Sequence, residues 1–325
     1  MTTPSPLSNL AAWQTERARI RQTLWTLLGD LPPLFTPNLS IDSTTNEEGY
    51  TLHHFTFDNG VGALIYGYLL IPTTLMGTAP AVLYHHVHGG KYEWGKSQLL
   101  QPHSRHGKAD GIELVKRGIV VMGIDAYGFG ERQHQGAAGI REAAQATEYS
   151  LFKQFLWQGS TLWGMIVRDD LLALAALLAR PEIDPARVAT TGMSLGGSRS
   201  TWVGALDERV ALTIPISQMT RYANLLATGE LARHSIYYYV PGMLKSGIDM
   251  EHIVALTAPR RQLILTGDSD PSSPIDGIHV VIDYAKSVYQ LHNAGHAFDT
   301  VLYNDIDHSY TLTMHDAMIA AVMTL

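Results

Sequence analysis

The chain has 325 residues, of which 46% are hydrophobic, and we interpret residues 1–325 as one domain around a large core. Its 23 Lys and Arg against 30 Asp and Glu give a formal charge of −7 without a long basic run, which argues against nucleic acid as a partner. The absence of cysteine excludes disulfides, a cysteine nucleophile and metal sites built from thiolates.

The N-terminal segment lacks the basic region followed by an apolar region that marks a secretory signal. No uninterrupted apolar stretch approaches the roughly 18 residues that span a bilayer. We therefore expect a cytoplasmic protein without a membrane partner. Residues 1–35 are predicted to be a helical extension, with a helix over residues 10–31 that either covers the core or docks a second copy in a homo-oligomer.

From residue 50 onward, apolar runs alternate with helical patterns, which predicts a mostly parallel sheet with crossover helices. The first two runs are joined by Asp58-Asn59-Gly60, so the sheet is expected to begin with an antiparallel hairpin. Residues 217–259 are too long for an ordinary connection and are predicted to form a cap or lid. The predicted strands cover residues 50–57, 61–71, 81–86, 118–125, 187–193, 210–216, 262–266 and 298–303, and the helices cover 109–117, 163–180, 194–206, 277–292 and 309–325.

One pentapeptide carries most of the functional information. A β-branched run ends in Gly192-Met193-Ser194-Leu195-Gly196 and continues into a predicted helix, which is the G-x-S-x-G pattern of a nucleophile elbow. A serine on so sharp a turn needs small neighbours, and Gly192 and Gly196 provide the clearance. The position of the motif between a strand and a helix makes Ser194 the candidate nucleophile.

The chain resembles the α/β-hydrolase superfamily from about residue 50 to its end, and within it the serine branch of dienelactone-hydrolase-like and acetyl-xylan-esterase-like enzymes. The resemblance rests on the elbow and on four further segments, which are His88-Gly89-Gly90, Asp125-Ala126-Tyr127-Gly128-Phe129-Gly130-Glu131-Arg132, Asp184-Pro185-Ala186-Arg187-Val188 and Ala258-Pro259-Arg260-Arg261. It implies an α/β-hydrolase fold with a twisted, mostly parallel eight-stranded sheet and helices on both faces.

A serine nucleophile needs a histidine base and a carboxylate that orients the histidine. In this fold the order along the chain is Ser, then Asp or Glu, then His. The resemblance favours Asp270 as the acid, with Asp268 as the alternative. His308 follows the last predicted strand and therefore falls on the edge of the sheet where ligands bind, so it is the predicted base rather than His296 or His315. His296 precedes the same strand and His315 lies within the following helix.

The tetrahedral oxyanion of acyl transfer needs preorganised N–H donors. The resemblance assigns these to the backbone of Leu195 and to the glycine loop, with Gly90 first and Gly89 beside it. The histidines at positions 85, 86 and 88 allow a metal interpretation, but no further ligand follows at a suitable spacing, and we predict no metal. Aromatic side chains predicted to line a substrate pocket are those of Tyr127, Phe129, Trp163 and Tyr238.

These residues predict a serine-dependent carboxylic ester hydrolase that forms an acyl-enzyme on Ser194, needs no cofactor and acts on a small-molecule ester, including acetylated sugars. A peptidase, amidase or lactonase with the same three residues is the alternative within enzymology. Outside it, the alternative is a binding protein that has kept the fold and lost catalysis.

Overall fold

The computed structural model describes residues 9–217 and 219–325. Residues 1–8 of the predicted N-terminal extension and Gln218 of the predicted cap lie outside the described residues. The described residues form one sheet of nine strands in the order β1-β2-β3-β5-β4-β6-β7-β8-β9. The strands are β1 Ser40–Glu47, β2 Tyr50–Asp58, β3 Leu64–Pro72, β4 Ala79–His85, β5 Val120–Ile124, β6 Ile183–Met193, β7 Leu212–Ile216, β8 Arg261–Gly267 and β9 Phe298–Tyr303.

The sheet is antiparallel at one side and parallel through the rest. Neighbouring strands from β1 to β3 pair antiparallel, β3 pairs antiparallel with β5, and all pairs from β5 to β9 are parallel. The mostly parallel sheet is therefore as predicted. Parallel strands place their carboxyl ends at the same edge, and loops that follow β4, β6, β8 and β9 consequently meet there.

The prediction of eight strands is wrong by one, because β1 was missed. All eight side chains of Ser40–Glu47 are exposed, so the segment lacks the apolar alternation by which a half-buried strand is predicted. The strand forms by backbone pairing with β2 at the edge of the sheet. A polar edge strand of this kind also discourages pairing with a further chain.

The hairpin of β2 and β3 is as predicted, but its turn is longer. Asp58 pairs with Leu64, so residues 59–63 form the connection instead of a tight two-residue turn. The side-chain oxygen of Asn59 accepts hydrogen bonds from the N–H groups of Val61 and Ala63. These local bonds hold the wider loop.

Helices cover both faces of the sheet, as predicted. Successive residues of β4 alternate between two cores: Leu83 belongs to the core that includes buried residues of α1, α4 and α8, whereas Val82 belongs to the core that includes buried residues of α2 and α9. The helices are α1 Leu10–Leu28, α2 Asp110–Val115, α3 Gln145–Trp157, α4 Leu162–Leu178, α5 Leu195–Leu206, α6 Tyr222–Thr228, α7 Met250–Ala255, α8 Ile275–Leu291 and α9 Leu312–Val322. Within residues 9–217 and 219–325, none of these helices combines the length and apolar character required to cross a membrane.

The N-terminal helix α1 docks on the body of the protein. Its Trp13, Ile20 and Leu24 are buried, and the Arg21 guanidinium donates to the carbonyls of Ala205 and Leu206 at the end of α5. The predicted cap contains α6, three short 3-10 turns and α7. Helix α7 packs against α5 and α8, so this part of the segment contributes to the body of the fold.

Candidate active site

The serine of the predicted elbow lies between β6 and α5 in a strained conformation. Ser194 has φ 57° and ψ −115°, a region that non-glycine residues rarely adopt. A Cβ at either Gly192 or Gly196 would collide with the backbone oxygen of His85 on the neighbouring strand. A Cβ at Gly192 would also lie 2.9 Å from the Cα of Gly196, so the two glycines let both sides of the turn and strand β4 come close together beneath the serine. The sequence predicts this close approach of the two glycines.

Ser194, Asp270 and His308 meet at the carboxyl edge of the sheet. His308 Nε2 lies 2.9 Å from Ser194 Oγ, and His308 Nδ1 lies 2.7 Å from Asp270 Oδ2. The Asp270 carboxyl group is buried, while the His308 side chain is 30% exposed. Since a carboxylate oxygen only accepts, Nδ1 carries the proton and Nε2 is left as the acceptor for the serine hydroxyl. The histidine is thus oriented to remove the proton of Ser194.

The alternatives considered in the sequence lie elsewhere. Asp268 Oδ1 accepts hydrogen bonds from Ser269 Oγ and the Asp305 N–H, which ties the loop after β8 to the end of β9. His296 is exposed in a short turn before β9. His315 is buried in α9 and its Nδ1 bonds to Asp110. Of the candidate bases, His308 is therefore the one that bonds to Ser194, and of the candidate acids, Asp270 is the one that bonds to His308.

A serine that sequence reasoning missed supports the His308 loop. Ser217, directly after β7, donates its hydroxyl to the carbonyl of Ser309 at 2.6 Å, and its own N–H donates to the Leu265 carbonyl in β8. Its φ of 49° shows a second strained residue at this edge of the sheet. Ser217 consequently fixes the loop that carries the candidate base.

The two predicted sources of oxyanion donors differ in availability. Leu195 is the first residue of α5, so its N–H has no carbonyl partner within the helix. In the glycine loop, the Gly90 N–H donates to His88 Nδ1 at 3.1 Å. Among the described residues, no acceptor is found for the Gly89 N–H. The Gly90 N–H is thus already bonded within its own loop, whereas the Gly89 N–H is available to a substrate oxygen.

A buried carboxylate stands beside this loop. Glu148 of α3 accepts hydrogen bonds from His88 Nε2 at 3.1 Å, Tyr92 Oη at 2.5 Å, the Ile236 N–H at 3.1 Å and the Ser235 hydroxyl. Burial alone would raise the pKa of Glu148, but the bonds from His88, Ser235 and Tyr92 hold it below its ordinary value. Glu148 thus links the glycine loop to the cap as an anion.

Sequence reasoning missed Glu148 because it missed α3. Leu151 and Phe155 of that helix are four residues apart and both buried, which is a helical signal that was available in the sequence. Even so, the period of apolar residues would have located only the helix and not the partners of its glutamate.

A cavity of about 620 Å³ opens above the three residues. Ser194 and His308 line it together with polar side chains that include Gln145, Glu148 and Arg233. Of the four aromatic residues predicted to line a pocket, Tyr238 does so. The prediction is wrong for the other three, Tyr127, Phe129 and Trp163, which are at most 3% exposed and belong to the core.

The three histidines of the β4 edge have separate partners. His85 Nε2 bonds to Thr190 Oγ1, His86 Nε2 accepts from the Ala126 N–H, and His88 bonds to Glu148. Burial lowers the pKa of His86 well below its ordinary value, so that ring is neutral. In the described part of the chain, the residues grouped closely enough to hold a metal are instead His106, Asp110 and His315, where Asp110 already accepts a hydrogen bond from His315 Nδ1.

A buried ion pair supports the elbow from beneath. Arg199, on α5, donates to both carboxylate oxygens of Asp170 on α4 at 2.9 and 2.6 Å, and both side chains are fully buried. Burial would raise the pKa of Asp170, but the Arg199 guanidinium holds it well below its usual range. The pair fixes α5, the helix that follows Ser194, against α4.

A mostly parallel sheet with a strained serine at the end of a central strand and histidine supplied after the last strand is the architecture of the α/β hydrolases, and this chain is one of them. Comparison with known families narrows the class. The model of the acetyl xylan esterase (AXE1) family matches residues 37–229, and the chain belongs to that family. It is an ester hydrolase.

Individual relatives agree with this assignment. The protein named "Putative hydrolase YtaP" of Bacillus subtilis (strain 168) is 33% identical over 290 residues, which cover 88% of this chain and 92% of that protein. The glucuronoyl esterase of Solibacter usitatus has a TM-score of 0.72 at 15% identity over 99% of this chain and 97% of that one. Acetyl xylan esterase 1 of Thermoanaerobacterium sp. JW/SL YS485 has a TM-score of 0.61 at 17% identity, covering 99% and 95%. At these identities the two solved structures show a shared fold.

Proposed function

We propose that the chain hydrolyses carboxylic esters through an acyl-enzyme on Ser194, with His308 as general base and Asp270 as the residue that orients it. The observation that carries this proposal is the continuous pair of hydrogen bonds from Ser194 Oγ through His308 to Asp270. Both bonds lie in the range that proton transfer requires in the free enzyme.

In the proposed reaction, Ser194 Oγ attacks the ester carbonyl carbon while His308 Nε2 takes the hydroxyl proton. The oxyanion is held by the N–H groups of Leu195 and Gly89. Collapse of this intermediate breaks the bond to the alcohol oxygen, which leaves with the proton from His308. Water then attacks the acyl group, His308 again takes and returns a proton, and the carboxylic acid is released.

The substrate class follows from the family. Because the chain belongs to the acetyl xylan esterase (AXE1) family, we propose small esters, including acetylated sugars, as substrates. The polar side chains that line the cavity suit hydroxyl groups on the alcohol part of such an ester. Residues 219–259 supply several of these side chains, which supports their proposed role as a cap over the site.

The experiment that tests the proposal compares wild type with Ser194→Ala on p-nitrophenyl acetate, and labels both with a fluorophosphonate probe. We expect kcat to fall by about 10³-fold or more and labelling to disappear in the variant. Ser200→Ala is a matched control, since this buried serine lies on the helix that follows Ser194 and, among the described residues, its hydroxyl bonds only to the Gly196 carbonyl. It should be labelled like the wild type.

The same assays separate the alternatives. Hydrolysis of aminoacyl arylamides without hydrolysis of aryl esters would establish an amidase or peptidase instead. A folded wild-type protein that neither hydrolyses esters nor reacts with the probe would contradict the proposal and favour a binding protein that has lost catalysis.

A further inference from the structure

The cap contains a second cavity, of about 550 Å³, that the proposed chemistry does not use. We call it the cap cavity. Its walls come from α6 and the turns that follow, and most of its lining side chains are apolar, among them Leu225, Leu226, Val240 and Met243. The charged lining residue, Lys245, is exposed. Water in such a space finds few hydrogen-bond partners, so the cavity suits a hydrocarbon group.

The cap cavity shares a wall with the active-site cavity. Leu231, His234, Tyr238 and Tyr239 line both spaces, so they stand between the hydrocarbon-lined cavity and the one that holds Ser194. His234 anchors this wall, because its Nε2 donates to the carbonyl of Ser272 at 2.8 Å. The wall is therefore fixed to the loop that carries Asp270, and the two cavities lie side by side at this edge of the sheet.

We propose that the cap cavity holds an apolar portion of the ester, so that the preferred substrates are amphiphilic: a polar part beside Ser194 and a hydrocarbon part within the cap. This inference rests on the function proposed above and adds a binding subsite to it. The division follows the chemistry of the two walls, since polar side chains that include Glu148, Gln145 and Arg233 line the active-site cavity, whereas aliphatic and tyrosine side chains make up most of the lining of the cap cavity. The hydrocarbon belongs to either the acyl group or the alcohol.

Two substrate series test the proposal and locate the hydrocarbon. The first lengthens the acyl group of p-nitrophenyl esters from acetate to octanoate, and the second lengthens the alcohol of alkyl acetates from methyl to octyl, with acid release measured by titration. We expect kcat/KM in one series to rise by up to about fourfold for each methylene buried, until the cavity is filled. The series that rises identifies the acyl or the alkoxy side.

A matched pair of variants assigns this dependence to the cap cavity. Leu226→Asp places a carboxylate in its wall, whereas Leu312→Asp alters a leucine outside both cavities, and both leucines are 47% exposed. We expect Leu226→Asp to abolish the rise with chain length and Leu312→Asp to retain it. A rise that is unchanged in Leu226→Asp, or no rise in either series with the wild type, would overturn the proposal.

Equilibrium binding separates this proposal from the proposed function. In calorimetric titration without turnover, Ser194→Ala is expected to bind the six-carbon member of the series that rises, p-nitrophenyl hexanoate or hexyl acetate, more tightly than the shortest member of that series. If neither six-carbon ester is bound more tightly than its shortest counterpart, in parallel with two flat series, the cap cavity is not the subsite even though the esterase chemistry stands. If Ser194→Ala hydrolyses esters as well as the wild type, the proposed nucleophile fails, and chain-length-dependent binding still reports on the cavity.

Discussion

Replacing Asp270 by Asn is the sharpest test of how the three residues act together. The carboxylate lies 2.7 Å from His308 Nδ1 and is buried. At an effective dielectric constant of about 20, a unit charge at that distance stabilises the imidazolium of the transition state by about 6 kcal/mol. His308 is 30% exposed, so solvent reduces this energy, and we expect kcat to fall by about 10³- to 10⁴-fold. The neutral amide also permits the wrong histidine tautomer.

The measurement is kcat for p-nitrophenyl acetate at neutral pH, with thermal unfolding to show that each variant is folded. Asp268→Asn is the matched control, because this aspartate lies two residues away on the same loop and bonds to Ser269 and the Asp305 N–H. We expect its kcat to remain within about threefold of wild type. The reasoning would be refuted if Asp270→Asn kept more than about a tenth of the activity, or if Asp268→Asn lost more than Asp270→Asn.

Three further variants test the surroundings of the site. Asp170→Asn leaves the Arg199 guanidinium buried without its counter-ion and is expected to lower the free energy of unfolding, measured by urea titration, by about 3 to 5 kcal/mol. A loss below about 1 kcal/mol would contradict a structural role for the pair. Gly192→Ala puts a Cβ against the His85 oxygen of the neighbouring strand, so we expect loss of soluble protein or of fluorophosphonate labelling. Labelling at the wild-type rate would show that this position tolerates a side chain. Glu148→Gln removes the charge that holds His88, and we expect kcat to fall by about tenfold or more in protein that thermal unfolding shows to be folded. Equal kcat values would show that Glu148 does not position the glycine loop.

The positions of the elbow and of the candidate base were predictable because local rules determine them. The spacing of Gly192 and Gly196 around Ser194 is imposed by contact with a neighbouring strand, and the same constraint applies wherever this turn forms. His308 could be chosen because a residue after a parallel strand must lie at its carboxyl edge. Asp270 and Asp268 are too close in sequence for that rule, and only the hydrogen bonds of the structure separate them.

Other features depend on contacts that no local pattern contains. The aromatic rings of Tyr127, Phe129 and Trp163 suit a core as well as a pocket, and their burial is decided by the packing of α3, α4 and the cap above them. The hydrogen bond from the Gly90 N–H to His88, which distinguishes this glycine from Gly89, is likewise a contact that the sequence does not reveal. Strand β1 forms although none of its side chains is buried, because β2 offers a backbone edge.

The sequence identifies the cap by the length of the segment and its run of three tyrosines, and two adjacent residues of the cap connect it to the site. His234 donates to the Ser272 carbonyl, and the Ser272 N–H in turn donates to Asp270, so the cap reaches the acid of the proposed triad through one residue. The next residue, Ser235, donates to Glu148, which also receives a hydrogen bond from His88 of the glycine loop. The wall between the two cavities is built from the same stretch of chain. A substrate group that occupies the cap cavity is therefore expected to contact residues that are bonded both to the loop that carries Asp270 and to the glycine loop. Recognition of the substrate and alignment of the catalytic groups are therefore expected to change together when the cap is altered.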